Sequence, residues 1–436
     1  MSNEQETGEN IGQGTGEGAI LSAASIADGV ESAFKHSAHE ISYGEEDLKP
    51  LLFQDDIARI CDSVEAAQHG NELVTHVMES KLLDFNLDKS CFMVVGKLSV
   101  KETILKQLEH SPITLSGVPM KVVTQEKYLG DFIHCNGNPD SVLATVKARY
   151  GLAVSAINEI KSVLEDIRIN VAGGLRAGID IWELSVLPFL LNNSESWSDI
   201  PAEAYKQLED LQRMFYRLLF ATPISTPSPA LLWETGALTM KNRIIMRKLS
   251  FYHHVMRLEK EAVASRVAKV AERAGYPGLM REYQTLCLEF DMPDPCKVST
   301  LSWKNYVKKA VFKANRANLL DLVESKYEKL DYDILKEETF EMKDYVKTMN
   351  MQDGRMKFQI RSKMVRYVKF NYSSDPVYSS QLWHCSHCDK IDSQSHVVIC
   401  ESYKYLREGK DLNDDKDLVK YFRDVISLRE KLENTV

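Results

Sequence analysis

Two groups of residues in this 436-residue chain have the types and spacing to do chemistry. The first is Asp55 and Asp56, adjacent carboxylates that directly follow the apolar run Pro50-Leu51-Leu52-Phe53. That run reads as a buried strand and Ile57 to Cys61 as another, so Gln54-Asp55-Asp56 falls at the turn of a hairpin. Hard divalent cations take oxygen ligands, and two-metal phosphoryl transfer uses carboxylates to hold paired Mg²⁺ ions against the attacking and leaving oxygens. In an acid-rich chain the same dipeptide also reads as a solvated tight turn. The second group is Cys385-x2-Cys388-x7-His396-x3-Cys400. A Cys-x2-Cys turn lets two thiolates bind one ion, and a His and Cys four apart close the tetrahedron that structural Zn²⁺ prefers. His384 and His387 are alternative ligands. Four protein ligands would fill the coordination sphere, which fits a structural or nucleic-acid-binding role and excludes hydrolysis at that ion.

The elements that must position these groups can be read from periodicity. Residues 1–18 are polar and Gly-rich and are expected to be disordered. Ala19 to Phe34 has helical spacing, and Glu40 to Ile60 supplies strands through Tyr43-Gly44 and the Asp-Asp hairpin. Asp62 with Glu65 resembles a capping box, and Val74, Val77, Met78 and Leu82 continue one helical stripe. Ser90 to Val95 and Ile113 to Val123 are strand-like, the second broken at Ser116-Gly117. From Ser141 to Leu258 the period is helical, with a break over Thr222 to Pro229. Glu259 to Asn350 continues helix-rich. The expected class is α+β.

Composition bounds the rest. Hydrophobic residues at 44% and charged residues at 27% are ordinary for a globular chain of two or three domains. No apolar run reaches the length of a membrane span and the N-terminus lacks a signal-peptide pattern, so an intracellular protein, nuclear or cytoplasmic, without a membrane partner is expected. Eight scattered Cys do not suggest a disulfide framework. A net charge of −9 argues against non-specific coating of nucleic acid, since that comes from Lys and Arg neutralising phosphates. Two local stretches run the other way. Leu301 to Arg316 holds Lys304, Lys308, Lys309, Lys313 and Arg316 without an acid, and Arg355 to Phe370 holds six cations with Phe358, Tyr367 and Phe370 interleaved. The second reads either as a surface for backbone and bases or as a solvated amphipathic face. His253-His254 reads as one core and one solvated imidazole.

Phe53-Gln54-Asp55-Asp56 resembles the aromatic-x-Asp-Asp signature of reverse transcriptases, specifically those of LINE-like (non-LTR) retrotransposons. Further blocks match in order. Gly12 to Ile20 resembles the Gly-rich block, Leu82 to Gly96 the palm block carrying Lys89, and Glu126 to Ile133 the Tyr-Leu-Gly primer-grip hairpin. Ile181 to Trp197, Leu208 to Phe220 and Leu231 to Leu238 resemble thumb and post-thumb blocks, and the Cys/His group resembles the C-terminal CCHC element. The resemblance implies a disordered N-terminus (1–18), a partial antiparallel-sheet palm (19–138), a helical thumb (139–258), a helical region (259–375), and a CCHC zinc element with an acidic helical tail (376–436). It also implies RNA-directed DNA polymerase chemistry on an RNA template and DNA primer. Asp55 and Asp56 would hold Mg²⁺, and Lys89 would protonate or steady leaving pyrophosphate. Gly14, Gly16, Phe53 and Gln54 would meet nucleotide and template, Tyr128, Leu129 and Gly130 would position the primer, and Cys385, Cys388, His396 and Cys400 would hold Zn²⁺. Lys241 to Met256 would wall the duplex channel. The family's third carboxylate, carried upstream of the Gly-rich block, has no counterpart among the Asp residues of the first 50. An N-terminally truncated element, catalytically impaired through an incomplete two-metal site, is the expectation. A non-catalytic nucleic-acid or partner-binding protein derived from one is the alternative.

Overall fold

The computed structural model describes residues 26–34, 41–43, 46–166, 172–224, 226–275, 278–326, 339–365, 385, 387–388 and 390–433. The fold is α+β and mostly helical, with small strand pairs. Two compact units emerge, one of Met1–Ser141 with His254–Glu282, the other of Val142–His253 with Tyr283–Val436.

In the first unit, helix α1 (residues 26–34) is followed by strands β1 (Ile41–Tyr43), β2 (Glu46–Leu48), β3 (Leu51–Phe53) and β4 (Asp56–Ala58). Helix α2 (Val64–Ser80) begins at Ser63, whose hydroxyl accepts from the Ala66 N–H at 3.2 Å. The cap is therefore one residue beyond the Asp62 expected from the Asp62/Glu65 pair, because a serine at that position closes the first turn itself. Val74, Val77 and Met78 are buried as the stripe predicts, but Leu82 is 94% exposed with φ +56°, past the helix end. Ile26, Val30 and Phe34 of α1 pack with the α2 stripe, and Leu52, Ile57 and Phe85 lie against them.

Then come β5 (Cys91–Phe92), helix α3 (Leu98–His110), β6 (Thr114–Leu115), β7 (Val118–Pro119), β8 (Lys121–Val122), β9 (Gln125–Tyr128) and β10 (Asp131–His134). Two-residue turns at Ser116-Gly117 and Leu129-Gly130 join the β6–β7 and β9–β10 hairpins, with positive φ at all four residues, the geometry that matches strand twist. Among the described residues each sheet has two strands, and β5–β8 is parallel, so the continuous antiparallel sheet expected from sequence is replaced by separate pairs. The Ser90 to Val95 strand shrinks to two residues, and α3 fills a segment that the strand reading left open.

The helices that follow in the chain are α4 (Asn138–Asp166), α5 (Gly174–Ile181), α6 (Leu187–Leu190), α7 (Ala202–Phe220), α8 (Ser228–Thr235), α9 (Met240–Met256), α10 (Val263–Ala274), which belongs to the first unit, α11 (Leu279–Glu289) and α12 (Thr300–Lys326). Beyond them lie α13 (Asp344–Thr348), α14 (Met351–Arg361), α15 (Gln394–Ile399), α16 (Lys404–Arg407) and α17 (Asp415–Glu433). The break over Thr222 to Pro229 separates α7 from α8. No helix among the described residues is long and apolar enough to cross a membrane. Three apolar blocks, Ile181 to Trp197, Leu208 to Phe220 and Leu231 to Leu238, meet in one core of the second unit. Trp182 stacks on Phe215 at 4.8 Å, and Phe215, Tyr216 and Phe220 are fully buried, so these aromatics pack and do not meet bases. Glu234 on α8 is fully buried and receives two bonds from Arg361 on α14, at 2.8 and 3.0 Å.

Removing one partner of a buried pair leaves an uncompensated charge, so Arg361→Met is expected to cost roughly 3–5 kcal/mol in urea unfolding. A loss near zero would show that Glu234 is not desolvated.

Candidate carboxylate hairpin and metal centre

The β3–β4 hairpin pairs Phe53 with Asp56, Leu52 with Ile57 and Leu51 with Ala58. Cross-strand partners share a face, so Leu52 and Ile57 turn to the α1–α2 core while Phe53 and Asp56 occupy the other side. Phe53 is 52% exposed, and Gln54, Asp55 and Asp56 are exposed. Gln54 and Asp55 form the two-residue turn, and Asp56 opens the return strand, which starts one position earlier than in the reading that put all three in the turn. Gln54 takes φ +55°, a conformation uncommon for a residue with a Cβ.

Arg59, just past β4, ties this hairpin down. Its guanidinium donates to the carbonyls of Ala66 and Ala67 and to Asn71 Oδ1 at 3.1 to 3.2 Å, and it lies 5.0 Å over the Phe34 ring. Gly70 on α2 makes room for it: a Cβ there would fall 1.6 Å from a guanidinium nitrogen.

The other hairpin expected at a site places Tyr128 at the end of β9 and Leu129-Gly130 in the turn. Burial pushes the Tyr128 hydroxyl pKa up, and the negative charge of Asp56 adds to the shift. Lys89 is exposed in the turn before β5, its N–H donating to Asn86. Burial and the carboxylate of Glu126 push the neighbouring Cys91 thiol up to about 11. Gly14 and Gly16 lie outside the described residues. Among the described residues no third acidic, Cys or His ligand groups with Asp55 and Asp56.

The Cys/His group is brought together. The ligand atoms of Cys385, Cys388, His396 and Cys400 all lie within 4.8 Å of one another. Metal–sulfur bonds of 2.3 Å in a tetrahedron set sulfurs about 3.8 Å apart. Cys388 Sγ and Cys400 Sγ stand 3.9 Å apart, and Cys388 Sγ lies 3.2 Å from His396 Nε2. These four residues could hold a metal ion such as zinc. The Cys385 and Cys388 sulfurs accept from the backbone N–H groups of His387 and Lys390, each two residues on. The Lys390 bond, with a little opposition from desolvation, holds the Cys388 thiol below its usual pKa, while burial raises that of Cys385. Burial keeps His396 below the ordinary imidazole range, favouring the neutral ligand form. Of the alternative ligands, His387 sets its ring edge-on to Tyr403 at 5.5 Å and is not in the group. His384 lies outside the described residues.

Short local motifs hold the ligands. Ser393 caps α15 by accepting from the His396 N–H at 3.1 Å, the Cys400 N–H returns to the His396 carbonyl, and Arg407 donates to the Cys400 carbonyl at 2.8 Å. Helix α17 closes over them. Arg429 forms a two-bond pair with buried Asp392 at 2.7 and 2.8 Å, and the Tyr421 hydroxyl donates to the Val397 carbonyl at 2.6 Å. Sequence reasoning missed Asp392, Arg429 and Tyr421, because nothing local pairs positions so far apart.

Cationic stretches divide sharply. On α14, Arg355 donates to the Leu219 carbonyl at 2.7 Å, Lys357 pairs with Asp415, and Arg361 pairs with Glu234. Phe358 is fully buried against Phe220 at 4.5 Å. These residues build the interior, which corrects the reading of the stretch as a nucleic-acid surface as far as Val365. Arg366, Tyr367, Lys369 and Phe370 lie outside the described residues. On α9, Arg243 and Arg247 pair with Glu183 and Glu195, and Lys248 is fully buried. That helix is not a basic wall. His253 is buried against Trp303 at 4.9 Å and His254 is exposed.

No protein-family model matches the sequence, and no curated protein matches it.

Gly70→Ala would push a methyl into the Arg59 guanidinium, and overpacking of this kind is expected to cost about 1–3 kcal/mol. Hydrogen exchange should show the β3–β4 hairpin opening more often, and unchanged protection there would refute the anchoring role of Arg59. Cobalt(II) added to the reduced chain is expected to give thiolate charge-transfer and tetrahedral absorption bands, lost in Cys388→Ser and His396→Ala. A chain that takes up no metal would remove the centre.

Proposed function

We propose that this chain is a reverse-transcriptase-like protein of a LINE-like retroelement, with an impaired two-metal site and a structural zinc element. The observation that carries the reading is the β3–β4 hairpin, which presents Asp55 and Asp56 to solvent on an anchored turn whose Asp56 charge is felt at Tyr128. Carboxylates on a rigid turn suit a cation that also takes oxygens from a nucleotide's phosphates. On this reading residues 19–138 are a partial palm with Tyr128-Leu129-Gly130 as a primer grip, residues 139–258 are a thumb, and a helical C-terminal region follows. RNA template and DNA primer are its partners. Zn²⁺ at the four ligands fills its own coordination sphere and stabilises fold. One observation favours a second reading, a non-catalytic nucleic-acid-binding protein derived from the same element. Among the described residues Asp55 and Asp56 have no third carboxylate, and removing one member of a catalytic unit usually removes most of the rate.

Iron(II) substitutes for Mg²⁺ and, with hydrogen peroxide as oxidant and ascorbate to re-reduce the iron, releases hydroxyl radicals that cut backbone near where it binds. Cleavage is expected around Gln54 to Ile57, competed by Mg²⁺ and abolished in Asp55→Ala with Asp56→Ala. Primer extension on an RNA template is expected at background with either metal. No cleavage at the hairpin would refute it as a metal site, whatever is cut near the Cys/His group. Extension that needs Asp55 would overturn the impairment and leave the polymerase assignment standing, whereas extension indifferent to Asp55 would overturn the assignment.

A further inference from the structure

We infer that the exposed lysine face of α12 binds the phosphate backbone of single-stranded nucleic acid, with Tyr306 as a base-stacking platform. This inference deepens the nucleic-acid reading above and rests on it for the choice of polymer. Lys304, Lys308, Lys309 and Lys313 are all exposed, and Tyr306 is 50% exposed. The helical period sets Tyr306, Lys309 and Lys313 in one file at i, i+3 and i+7, with Lys304 and Lys308 in the adjacent file. Four positive charges thus fall within about 14 Å of helix length.

Their partners, or lack of them, give the argument its weight. Among the described residues none of the four lysines has a salt bridge or hydrogen-bond partner, and Lys308 alone has an aromatic neighbour, Phe312 at 5.9 Å. The fifth cation of the stretch, Arg316, is anchored 5.8 Å over the Trp233 ring and does not belong to the face. The opposite side of the helix is fixed by buried Trp303, Val307, Val311, Asn315 and Leu319, so the lysines project from a rigid support. In a chain of net charge −9, where Arg243 and Arg247 of α9 and Arg355, Lys357 and Arg361 of α14 meet carboxylates and carbonyls, a lysine run without partners among the described residues is a place for an external anion. An exposed tyrosine within that run adds a π-face for an unpaired base, a combination suited to single strands.

The test uses full-length protein and a fluorescent uridine 20-mer, with affinity followed against salt. Counterion release contributes a slope of roughly −0.7 per neutralised phosphate on single strands, so changing the four lysines to Gln is expected to lower the slope by about 3. Tyr306→Ala is expected to weaken binding roughly tenfold at fixed salt with the slope unchanged. A 4-thiouridine oligomer should cross-link to the peptide holding Tyr306. Circular dichroism and urea unfolding of the exposed-site variants check that the fold is kept. An unchanged slope in the quadruple variant, cross-links confined elsewhere, no binding by the wild-type chain at low salt, or lysine-dependent binding to phosphatidylserine vesicles without binding to RNA would each overturn the inference. Iron cleavage at the Asp55 hairpin is independent of this face, so failure here and failure of the polymerase reading give different results.

Discussion

A carboxylate with no access to water needs a cation held against it, and Glu234 is where the second unit meets that requirement. Its two bonds to Arg361 set α14 against α8, although 127 residues separate the partners. With α14 placed, Arg355 reaches the end of α7 and Phe358 fills the space beside Phe220. The far side of α14 then meets α17 through Lys357–Asp415 and Asp353–Arg423. Helix α17 carries the remaining contacts, Arg429 to Asp392 and Tyr421 to Val397, that close the Cys/His group. The geometry of the Cys/His group therefore depends on an ion pair in a core that contains none of its four residues.

The same desolvation argument sorts the other cations. A guanidinium or ammonium beside the core finds a carboxylate or carbonyl, because leaving it unpaired would cost several kcal/mol. Arg243, Arg247, Arg355, Lys357 and Arg361 follow that rule. The lysines of α12 stand in water, where solvation replaces a partner and no such force selects one. Basic residues close in sequence thus divide by depth, and the chain's net negative charge conceals where positive potential remains.

That division explains what was legible in the sequence. Turn chemistry and ligand spacing act over a few residues, so the Asp-Asp hairpin and the Cys385 to Cys400 group could be read directly, whereas the Leu129-Gly130 turn was expected only through the family resemblance. Helix ends were less secure: Ser63 and Asp62 are both good caps, and the choice is made by which oxygen meets the Ala66 N–H. Helix α3 escaped because Leu98, Val100 and Leu105 are exposed and only Leu108 is buried, which blurs the apolar stripe that marks a helix. The role of the Arg355 stretch was not legible at all. Its partners Glu234, Leu219 and Asp415 lie in other segments, and composition alone cannot distinguish a solvated cation from one that holds a core together.

Exposure bears equally on the Asp-Asp hairpin. Both carboxylates sit in high dielectric, where attraction for a cation is screened and water competes for its coordination sites. Mg²⁺ gives up its waters reluctantly and in phosphoryl-transfer sites is held by one or two carboxylates together with substrate phosphates. On the proposed reading, then, two exposed aspartates would hold the ion firmly only with a triphosphate present to supply the remaining oxygens and exclude solvent. The anchored turn answers the positional half of that requirement, since Arg59 and the Leu52–Ile57 pair fix the carboxylates before any ligand arrives. The electrostatic half needs a third negative charge and a cover over the Phe53 face, and Phe53 at 52% exposure is the residue such a cover would meet first.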